Sequence, residues 1–393
     1  MAAYRILIVL TPALHPNGGG VQMSTWKLGQ CFRGLGNEVA VYSFGCDGHA
    51  APDFGRLFAA PYAGEERNAH NLSGLRNCLE DFRPQIVINQ MPYASAITKV
   101  VKEFRPQLLL GCLRNTLFSV TANPGAYVRR VVPKFLAPLL QNSVGRRALL
   151  AFHIRSHQAE LGQILRDYDY FVMFGPPNLE ELKFFVPGFD RSKVALIPNS
   201  VPQVLIQPPA KDRRILWLGR VEYEHKRADL ILPAWKRLMG ILPDWELDVV
   251  GDGPALMDLK TQAARESIPR VVFHGRQTPD EFYRRSAVFF MTSAFEGFPN
   301  TLVEAQSFGA VPVIFDSYPV ARWLIKAGRN GFLVKPFDVA GLANAIHSAA
   351  VSPDRGKLAQ AALDEVRQFE IGNVGAQWEA LFDAGLKRHG RVH

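Results

Sequence analysis

The sequence contains few cysteines, and none of them is spaced for a metal site. The 393 residues include Cys31, Cys46, Cys78 and Cys112, all in the first half and without a CxxC pair. This pattern argues against a disulfide scaffold or a structural zinc ion and fits a reducing compartment. No apolar run approaches the roughly 18 residues that cross a bilayer, and Ile6–Leu10 is too short for a signal segment. We therefore expect a cytoplasmic protein without a membrane span.

Acidic side chains are missing from a long stretch of the first half. Residues 104–159 contain no Asp or Glu, whereas basic residues from Arg105 to Arg155 alternate there with large apolar ones. Basic and apolar residues mixed on helices are typical of peripheral contact with an anionic membrane. A pair of core-facing helices with a solvated basic face explains the pattern equally well. Nucleic acid ranks below both and is not expected, because no nucleic-acid-binding motif is present.

Length and composition predict two globular domains. Hydrophobic residues make up 48% of the chain and charged residues 21%, so each half can bury a core of its own. The formal net charge of +9 is uneven, since residues 1–200 hold 21 basic against 14 acidic side chains and residues 201–393 hold 24 against 22. A basic partner surface is therefore expected mainly on the first half.

Short apolar runs alternate with amphipathic segments along both halves. This order predicts an α/β protein of two Rossmann-like domains that face each other across a cleft. We expect a first domain over residues 1–200 and a second domain over residues 201–372. Gln203–Lys211, with its two prolines, is expected to link them. A last helix in 373–393 is expected to pack back toward the first domain.

A glycine-rich loop follows the first predicted strand. Gly18, Gly19 and Gly20 precede a helix predicted over Val21–Leu35, and glycine lets the backbone approach a ligand closely. The dinucleotide fingerprint G-x-G-x-x-G is not completed, because Met23 occupies its last position. A ligand-binding loop and a flexible loop tip are both compatible with this stretch.

The stretch from Ser293 to Gly309 carries two carboxylates at the start of a predicted helix. It follows the buried strand Ala287–Met291 and places Glu296 in a loop and Glu304 inside the helix, with Asn300 as the expected N-cap. A helix start favours phosphate, whereas an ionised Glu accepts hydrogen bonds from hydroxyl groups. Phosphate flanked by carboxylates that bind hydroxyl groups describes a nucleotide sugar. Two solvated glutamates near a helix start are the plainer alternative.

Two cations follow another predicted strand of the second half. Arg220 comes directly after Arg214–Leu218, and Lys226 lies six residues further on. Together they could hold a diphosphate and stabilise the charge that develops on it as a leaving group. Acidic residues between them leave a solvated loop as the alternative.

The order of these motifs resembles the retaining GT-B glycosyltransferases of family 4, also called group 1. The resemblance rests on Gly219-Arg220 followed by Lys226, on Val250–Pro254, on Glu296–Ala305 and on the I-P-N-G-V-like sequence Ile197–Val201, in which Ser200 replaces glycine. It covers nearly the whole chain and is most specific in the second half.

The resemblance implies roles for individual residues. Arg220 and Lys226 would grip the donor diphosphate, Glu296 would bind the transferred sugar and Glu304 the ribose. The backbone of the following donor-binding residues would cradle sugar and phosphate: Phe298, Pro299, Asn300, Thr301 and Leu302. Three further positions would also approach the donor: the Gly18–Gly20 loop, Asn199 and Arg114.

Arg114 departs from the family pattern. The family often has a histidine near the transferred sugar, and the sequence Cys112-Leu113-Arg114-Asn115 puts an arginine at that place. Arginine stays protonated and cannot do the proton work of a neutral imidazole. Arg114 either binds a charged donor or acceptor, or it marks an altered activity.

Two partial motifs are interpreted as structural. Asp167-Tyr168-Asp169 matches the metal motif of the other glycosyltransferase fold but precedes a strand, where ligand-binding residues should follow one. Gly251-x-Gly253 lacks the third glycine of a dinucleotide fingerprint, since Leu256 stands there. We expect no metal and no cofactor besides the nucleotide sugar, which is UDP- or GDP-linked.

These features predict a metal-independent hexosyltransferase. It would move a sugar from a nucleotide sugar to a hydroxyl of a glycan or lipid-linked acceptor, with retention, in cell-surface polysaccharide, lipopolysaccharide or glycolipid synthesis. The alternatives are a nucleotide-sugar epimerase or hydrolase on the same fold and a non-catalytic sugar-nucleotide-binding subunit. The sequence does not identify the base, sugar, acceptor or oligomeric state.

Overall fold

The computed structural model describes residues 3–11, 13–15, 18–45, 54–60, 68–113, 115–118, 143–388 and 390, with the backbone alone for 143–150 and 153. Internal contacts divide the chain into two units. The described residues of the first come from Met1–Asn115, Ser143–Pro202 and Ile371–His393, and those of the second come from Thr116–Asn142 and Gln203–Glu370.

Each unit is built on a parallel sheet, as the alternation of apolar runs predicts. In the first unit the described strands are β1 (Arg5–Leu10), β2 (Glu38–Ser43), β3 (Arg56–Ala59), β4 (Ile86–Asn89), β5 (Leu108–Cys112), β6 (Tyr170–Met173) and β7 (Val194–Leu196). In the second they are β8 (Asp212–Leu218), β9 (Glu246–Val250), β10 (Val271–Gly275), β11 (Ser286–Met291), β12 (Val311–Phe315) and β13 (Phe332–Val334).

Helices connect the strands of both sheets. Those of the first unit, within the described residues, are α1 (Gly20–Gly34), α2 (Ala69–Phe82), α3 (Ser95–Phe104), α4 (Ser143–Asp167), α5 (Pro176–Phe185) and α13 (Ile371–Arg388). Those of the second are α6 (Ile231–Leu238), α7 (Leu256–Arg265), α8 (Asp280–Arg285), α9 (Asn300–Ser307), α10 (Pro319–Leu324), α11 (Val339–Val351) and α12 (Arg355–Val366). No helix in the described part of the chain combines the length and apolar character needed to cross a membrane.

The two sheets have the same doubly wound topology. The strand order is β3-β2-β1-β4-β5-β6-β7 in the first unit and β10-β9-β8-β11-β12-β13 in the second. The connections change direction at β1/β4 and at β8/β11, and open parallel sheets bind ligands at the carboxyl ends of the strands flanking such a point. The predicted fold class, two Rossmann-like α/β domains, is confirmed.

Helix α13 completes the hydrophobic core of the first unit. Trp378 is 3% exposed and packs edge-to-face on Phe32, with ring centroids 5.8 Å apart. Phe382 lies 5.3 Å from the same Phe32 ring. Gly375 leaves room for Cys31, since a Cβ there would lie 2.6 Å from the Cys31 sulfur. The last helix thus belongs to the core of the first unit, although it follows the whole second unit in the chain.

The segment predicted as a linker packs on the second unit. Leu205 N–H donates to the Ser307 carbonyl at 3.1 Å. Gly309, at a φ of +74°, leaves room for Pro208, because a Cβ there would lie 3.0 Å from the proline ring. The Lys211 ammonium donates to the Tyr283 carbonyl at 2.9 Å. Residues 203–211 therefore form a docked strap rather than a loose tether.

Candidate active site

The predicted site residues of the second unit gather at its topological switch point. Arg220 and Lys226 lie in the loop after β8, and Glu296 lies in the loop after β11, which is the next strand in the sheet. Glu304 follows in the second turn of α9. The first and the last of these residues, Arg220 and Glu304, are more than 80 positions apart in the sequence. The strand order brings their loops to one edge of the sheet.

A glycine turn supports the start of the β8 loop. Gly251 adopts a φ of +135°, and a Cβ at this position would lie 1.8 Å from the Gly219 carbonyl oxygen. A Cβ at Gly253 would lie 2.4 Å from the Val221 carbonyl oxygen. Val221 N–H donates to Asp252 O at 3.0 Å. The partial fingerprint Gly251-x-Gly253 is therefore a packing feature under the Arg220 loop, as expected of a structural motif.

The Glu222 carboxylate organises the rest of this loop. It accepts hydrogen bonds from three consecutive backbone N–H groups, those of Glu224 at 3.1 Å, His225 at 3.0 Å and Lys226 at 2.6 Å. The Glu222 carbonyl also accepts the Ala228 N–H at 3.1 Å. Bonds from several N–H groups to one carboxylate fix the loop backbone and hence the origin of the Lys226 side chain.

Contacts with the next loop anchor Lys226 from the other side. The Thr292 hydroxyl donates to the Lys226 carbonyl at 2.7 Å and accepts the Trp217 indole N–H at 2.9 Å. Ala294 N–H donates to the His225 carbonyl at 2.8 Å. These bonds join the end of β11 to the loop after β8, so that the two loops form one rigid edge.

Lys226 and Glu296 form a close ion pair at this edge. The ammonium lies 2.6 Å from Glu296 Oε1, and the two side chains are 17% and 8% exposed. Burial by itself would raise the pKa of Glu296, but the Lys226 ammonium and the His225 ring lower it to about 2. The carboxylate is therefore ionised at neutral pH. An ammonium has three N–H groups, so Lys226 keeps donors for a second anion.

His225 lies on the opposite side of the same carboxylate. Its Nε2 is buried 3.5 Å from Glu296 Oε2 and makes no hydrogen bond. The imidazole stacks on Phe295 with centroids 4.4 Å apart and an interplanar angle of 16°. Glu296 is thus flanked by a cation and an imidazole.

Arg220 extends from the same loop into solvent. Its side chain is exposed, and within the described residues no carboxylate pairs with the guanidinium. A guanidinium fork next to an ammonium suits the oxygens of a phosphate or diphosphate.

Helix α9 begins one residue earlier than the sequence indicates. Pro299 is the N-cap residue and Asn300 is the first helical residue. The expected cap at Asn300 is wrong, because the Leu302 and Val303 N–H groups donate to the Pro299 carbonyl, at 2.9 and 3.3 Å. Proline tolerates this place because the first N–H groups of a helix have no intrahelical acceptor.

The side chains before α9 point into the core. Phe298 is 6% exposed and packs against Trp323 and Phe369, with centroids 6.2 and 5.5 Å apart. Pro299 and Leu302 are also buried, whereas Asn300 and Thr301 are half-buried. Of Phe298, Pro299 and Leu302, only the backbone can therefore face a ligand, as the proposed cradle requires.

Glu304 is held by a buried tyrosine. The Tyr283 hydroxyl donates to Glu304 Oε2 at 2.9 Å, and the carboxylate is half-buried. Burial and the Glu304 charge raise the pKa of Tyr283 well above its ordinary value, so the phenol remains a donor. The bond fixes the direction of Glu304.

Tyr318 places a third buried polar group near Glu296. It follows β12, is 5% exposed, and its hydroxyl has no hydrogen-bond partner. Burial and the Glu296 charge raise the pKa of its phenol well above the usual range. The Ser317 hydroxyl donates to Ser293 O at 2.8 Å and ties this loop to the one after β11.

The remaining predicted residues belong to the first unit or fall outside the described residues. Gly19 is the N-cap of α1, and its N–H donates to Gln22 Oε1 at 2.7 Å. A Cβ at Gly18 would lie 2.3 Å from that oxygen, so glycine there makes room for Gln22. Gly20 is the first residue of α1. Arg114 lies outside the described residues.

Asn199 follows β7 and lines a cavity of about 20 Å³ at the carboxyl ends of β5 to β7. Ser24, Cys112 and Trp378 line the same cavity. All of these residues belong to the first unit, and the volume suits a single water molecule.

Asp167 and Asp169 have structural partners. The Lys102 ammonium donates to Asp167 at 2.5 Å, and Asp169 Oδ2 accepts the Leu109 N–H at 2.8 Å. Asp169 thus caps the beginning of β5, at the sheet edge opposite the carboxyl ends of the strands. These partners are the ones expected of a structural D-x-D sequence.

Sequence reasoning missed three residues that shape the site. Glu222 and His225 were recognised only as charged residues of a loop, and Tyr318 was not singled out. The spacing of Glu222 to the residues it binds is local, so a turn analysis could have found it. The electrostatic interactions of His225 and Tyr318 with Glu296 join separate loops and leave no sequence signal.

The comparisons with known proteins concern the family and the fold. Residues 212–350 match the family model described as Glycosyl transferases group 1. The lipopolysaccharide 1,6-galactosyltransferase of Salmonella typhimurium is 32% identical over 148 residues, which are 35% of this chain and 40% of that enzyme. The alignment thus spans less than half of this curated relative.

Solved structures match over nearly the whole chain. The lipopolysaccharide outer core galactosyltransferase WaaB covers 97% of this chain and 99% of its own, with a TM-score of 0.67 and 17% identity. Anabaena HepE, solved in complex with UDP-glucose, matches over 97% of this chain and 100% of its own length, with a TM-score of 0.74 and 14% identity. At these identities the likeness establishes the fold, which is that of GT-B glycosyltransferases. The resemblance to group 1 glycosyltransferases is thus confirmed for residues 212–350, and the GT-B fold for nearly the whole chain.

Proposed function

We propose that this chain, whose residues 212–350 form a group 1 glycosyltransferase domain, transfers a hexose from a nucleotide sugar to an acceptor hydroxyl. The observation that carries the proposal is the edge formed by Arg220, Lys226 and Glu296 at the β8/β11 switch point. It combines an exposed guanidinium, an ammonium with remaining donors and an ionised carboxylate. A diphosphate linked to a sugar needs these groups side by side.

The donor binds with its diphosphate on Arg220 and Lys226. The half-buried Glu304, oriented by Tyr283, accepts hydrogen bonds from the ribose hydroxyls. Glu296 accepts a hydroxyl of the transferred sugar with the lone pairs that Lys226 leaves open. The backbone from Phe298 to Leu302 lines the sugar and phosphate. HepE has been solved with UDP-glucose, and a UDP- or GDP-linked sugar is the corresponding donor class here.

Transfer proceeds with retention and without a metal ion. The bond between the sugar and the diphosphate breaks, and its electron pair stays on the phosphate oxygen. The acceptor oxygen attacks from the face that the diphosphate leaves and gives its proton to the diphosphate. Arg220 and Lys226 supply the positive charge that stabilises this leaving group, in place of a metal ion.

The acceptor is a glycan or lipid-linked saccharide of the cell surface. The Salmonella relative is named for lipopolysaccharide synthesis, and we place this chain in the same kind of assembly. The first unit receives the acceptor. The protein works in the cytoplasm, and the basic segment from Arg105 to Arg155 contacts the anionic face of the membrane. Arg105 and Arg155 are both exposed.

A transfer assay tests the proposal. The purified chain is incubated with nucleotide sugars labelled in the sugar and with lipopolysaccharide or lipid-linked acceptors, and labelled product is counted. Lys226→Met is expected to lower kcat about a hundredfold or more, because it removes charge stabilisation of the leaving group. Lys236→Met, an exposed lysine on α6 paired with Glu266, is the matched control and leaves the rate unchanged.

Two further readouts of the same assay decide the finer points. EDTA is expected to leave the rate unchanged, and the anomeric proton of the product is expected to have the configuration of the donor sugar. A rate abolished by EDTA contradicts metal independence. Donor consumption without acceptor modification would favour the epimerase or hydrolase alternative.

The membrane contact has a separate test. The chain is expected to float with vesicles that contain anionic lipid and not with neutral ones. Exchanging Arg105 and Arg155 for Gln weakens flotation, since each basic residue near an anionic surface contributes about 1 kcal/mol. Equal recovery with both vesicle types removes this part of the proposal.

A further inference from the structure

We propose that His225 is a further catalytic residue, whose imidazolium donates a hydrogen bond to the diphosphate of the donor. The proposal rests on the proposed function and adds a titratable cation to the two fixed ones, Arg220 and Lys226. It is carried by the way the second unit holds the imidazole ring.

Two hydrogen bonds hold the backbone of His225, and an aromatic stack holds its ring. Its backbone N–H donates to the Glu222 carboxylate at 3.0 Å, and its carbonyl accepts the Ala294 N–H at 2.8 Å. Its imidazole stacks on Phe295 at 4.4 Å. A surface histidine without a role has no need of such fixation, whereas a group that meets a substrate must be positioned in advance.

The two ring nitrogens are in different surroundings. Nε2 is buried and faces the Glu296 carboxylate at 3.5 Å. That carboxylate is ionised, and its Oε2 is the acceptor toward which an N–H at Nε2 would point. Nδ1 makes no hydrogen bond with the protein and is not among the buried atoms, so it belongs to the exposed part of a side chain that is 36% exposed. A protonated ring therefore presents its free N–H on the accessible side.

The surrounding charges favour this arrangement. Within its own loop, His225 donates its backbone N–H to the Glu222 carboxylate and is followed directly by Lys226. The exposed Arg220 lies in the same loop. Glu296 faces the ring from the loop after β11, and the Tyr318 phenol lies within electrostatic reach of that carboxylate. Glu296 binds the imidazolium and the Lys226 ammonium at its two oxygens, which lets two cations lie side by side.

The imidazolium would act on the leaving group. When the bond between the sugar and the diphosphate breaks, the electron pair goes to a phosphate oxygen, and a hydrogen bond from Nδ1–H stabilises that charge. The proton stays on the imidazole, since the diphosphate receives the proton of the acceptor. As residue types, arginine and lysine carry their charge throughout the neutral range, whereas histidine changes its charge between pH 5 and 8. Donor binding should therefore weaken as the pH rises through this range.

Binding of the donor at two pH values tests the inference. UDP-glucose and GDP-mannose are titrated by calorimetry into the full chain at about pH 6 and pH 8. Their diphosphate carries no group that titrates in this range, so any pH dependence belongs to the protein. We expect the wild type to bind one of them about five- to tenfold more tightly at the lower pH. His225→Gln should bind equally at both, with the affinity that the wild type has at about pH 8.

Two variants serve as controls. His347→Gln changes a histidine on α11, outside the proposed site, and should keep the pH dependence of the wild type. Arg220→Ala should lose binding at both pH values. If the wild type and His225→Gln show the same pH dependence, or if the wild type shows none, the role of His225 is overturned while the donor site stands. If neither nucleotide sugar binds the wild type, the proposed function falls, and the role of His225 falls with it.

Discussion

At the scale of residues, Glu296 is the centre of the candidate site. Its carboxylate is buried, yet it is ionised because Lys226 and His225 stand at its two oxygens. A buried carboxylate with a cation at hydrogen-bond distance is typical of a site where charge is arranged in advance of the reaction. The same interaction links the stability of the second unit to pH.

We predict that Glu296→Gln changes the acid dependence of stability. The pKa of Glu296 is about 2 in the folded protein, against 4.5 for the unfolded group. Its stabilising contribution is therefore complete above about pH 4.5 and is lost as the pH falls toward 2. Between pH 6 and pH 3 the wild type should lose about 2 kcal/mol of unfolding free energy that the variant does not lose. Urea unfolding at both pH values measures this difference.

The exposed Glu281 provides the control. Glu281→Gln should lose stability in acid in parallel with the wild type. If Glu296→Gln does so too, the carboxylate is not ionised through its neighbours, and the electrostatic account of the site is wrong.

Glu222 carries a second prediction at this scale. Glu222→Ala leaves three backbone N–H groups without their carboxylate, so the Lys226 loop should lose its fixed conformation. We expect nucleotide-sugar affinity to fall about tenfold, and Glu222→Gln, which keeps one acceptor oxygen, to lose less. Calorimetric titration measures both. As the control, the variant Glu224→Ala, at an exposed neighbouring position, should bind the nucleotide sugar as tightly as the wild type does. If Glu222→Ala also binds with the affinity of the wild type, the loop does not need the Glu222 carboxylate.

The single-residue roles show where sequence reasoning ends. Arg220, Lys226, Glu296 and Glu304 could be named because each lies in a motif with fixed spacing. The Lys226–Glu296 pair and the Tyr283–Glu304 bond were not predictable, since they join residues 70 and 21 positions apart. Such pairs depend on strand order and side-chain direction, which a single sequence does not contain.

At the scale of elements, the turn Gly251–Gly253 supports the loop that carries Arg220. We predict that Gly251→Ala destabilises the second unit by about 3 kcal/mol or more, because its Cβ would meet the Gly219 carbonyl at a φ of +135°. Nucleotide-sugar binding should weaken as well, since Gly219 precedes Arg220. Thermal unfolding with and without donor measures both effects.

A glycine with free space is the matched control. Gly240 follows α6 and has no atom within 4 Å of a built Cβ. Gly240→Ala should change the stability by less than about 0.5 kcal/mol. If the two variants behave alike, the close approach of the two loops is not a requirement of the fold.

Most strands were predictable because each is a short, continuous apolar run, as buried parallel strands require. Strand β3 was missed, since Arg56–Ala59 has four residues that are only partly buried at a sheet edge. Helix α12 was missed as well, because half of the apolar residues in Arg355–Val366 are alanines, which gives a weak hydrophobic periodicity. The expected cap at Asn300 failed for a local reason, because the Pro299 carbonyl accepts the first helical bonds.

At the scale of the whole molecule, the two units share a sheet topology and differ in the charged residues described at their switch points. Each has a switch point, and within the residues that the structure describes, the cluster of cations and carboxylates at such a point belongs to the second unit. The first obtains part of its core from the end of the chain, through Trp378 and Phe382 on α13. The stability of the first unit and the binding of the donor by the second unit therefore depend on different residues.

We predict that Trp378→Ala separates these two properties. Removing a buried indole should cost the first unit about 3 to 5 kcal/mol, while the affinity for a nucleotide sugar stays within twofold. Calorimetric scanning and titration of the same sample report the two quantities. Gln377→Ala, an exposed change on the same helix, should alter neither. A parallel loss of donor affinity would show that the donor site depends on the first unit.

The most direct test of the central claim is a thermal-shift measurement with UDP, GDP, ADP and their sugars, made on the wild type, Arg220→Ala and Glu304→Ala. The account predicts that one nucleotide family raises the melting temperature of the wild type and that both substitutions abolish the shift. A ligand at one hundred times its Kd stabilises by about 2.7 kcal/mol, which is well within reach of the method. If no nucleotide or nucleotide sugar shifts the wild type, or if both variants shift as the wild type does, the second unit does not bind its donor at the β8/β11 edge.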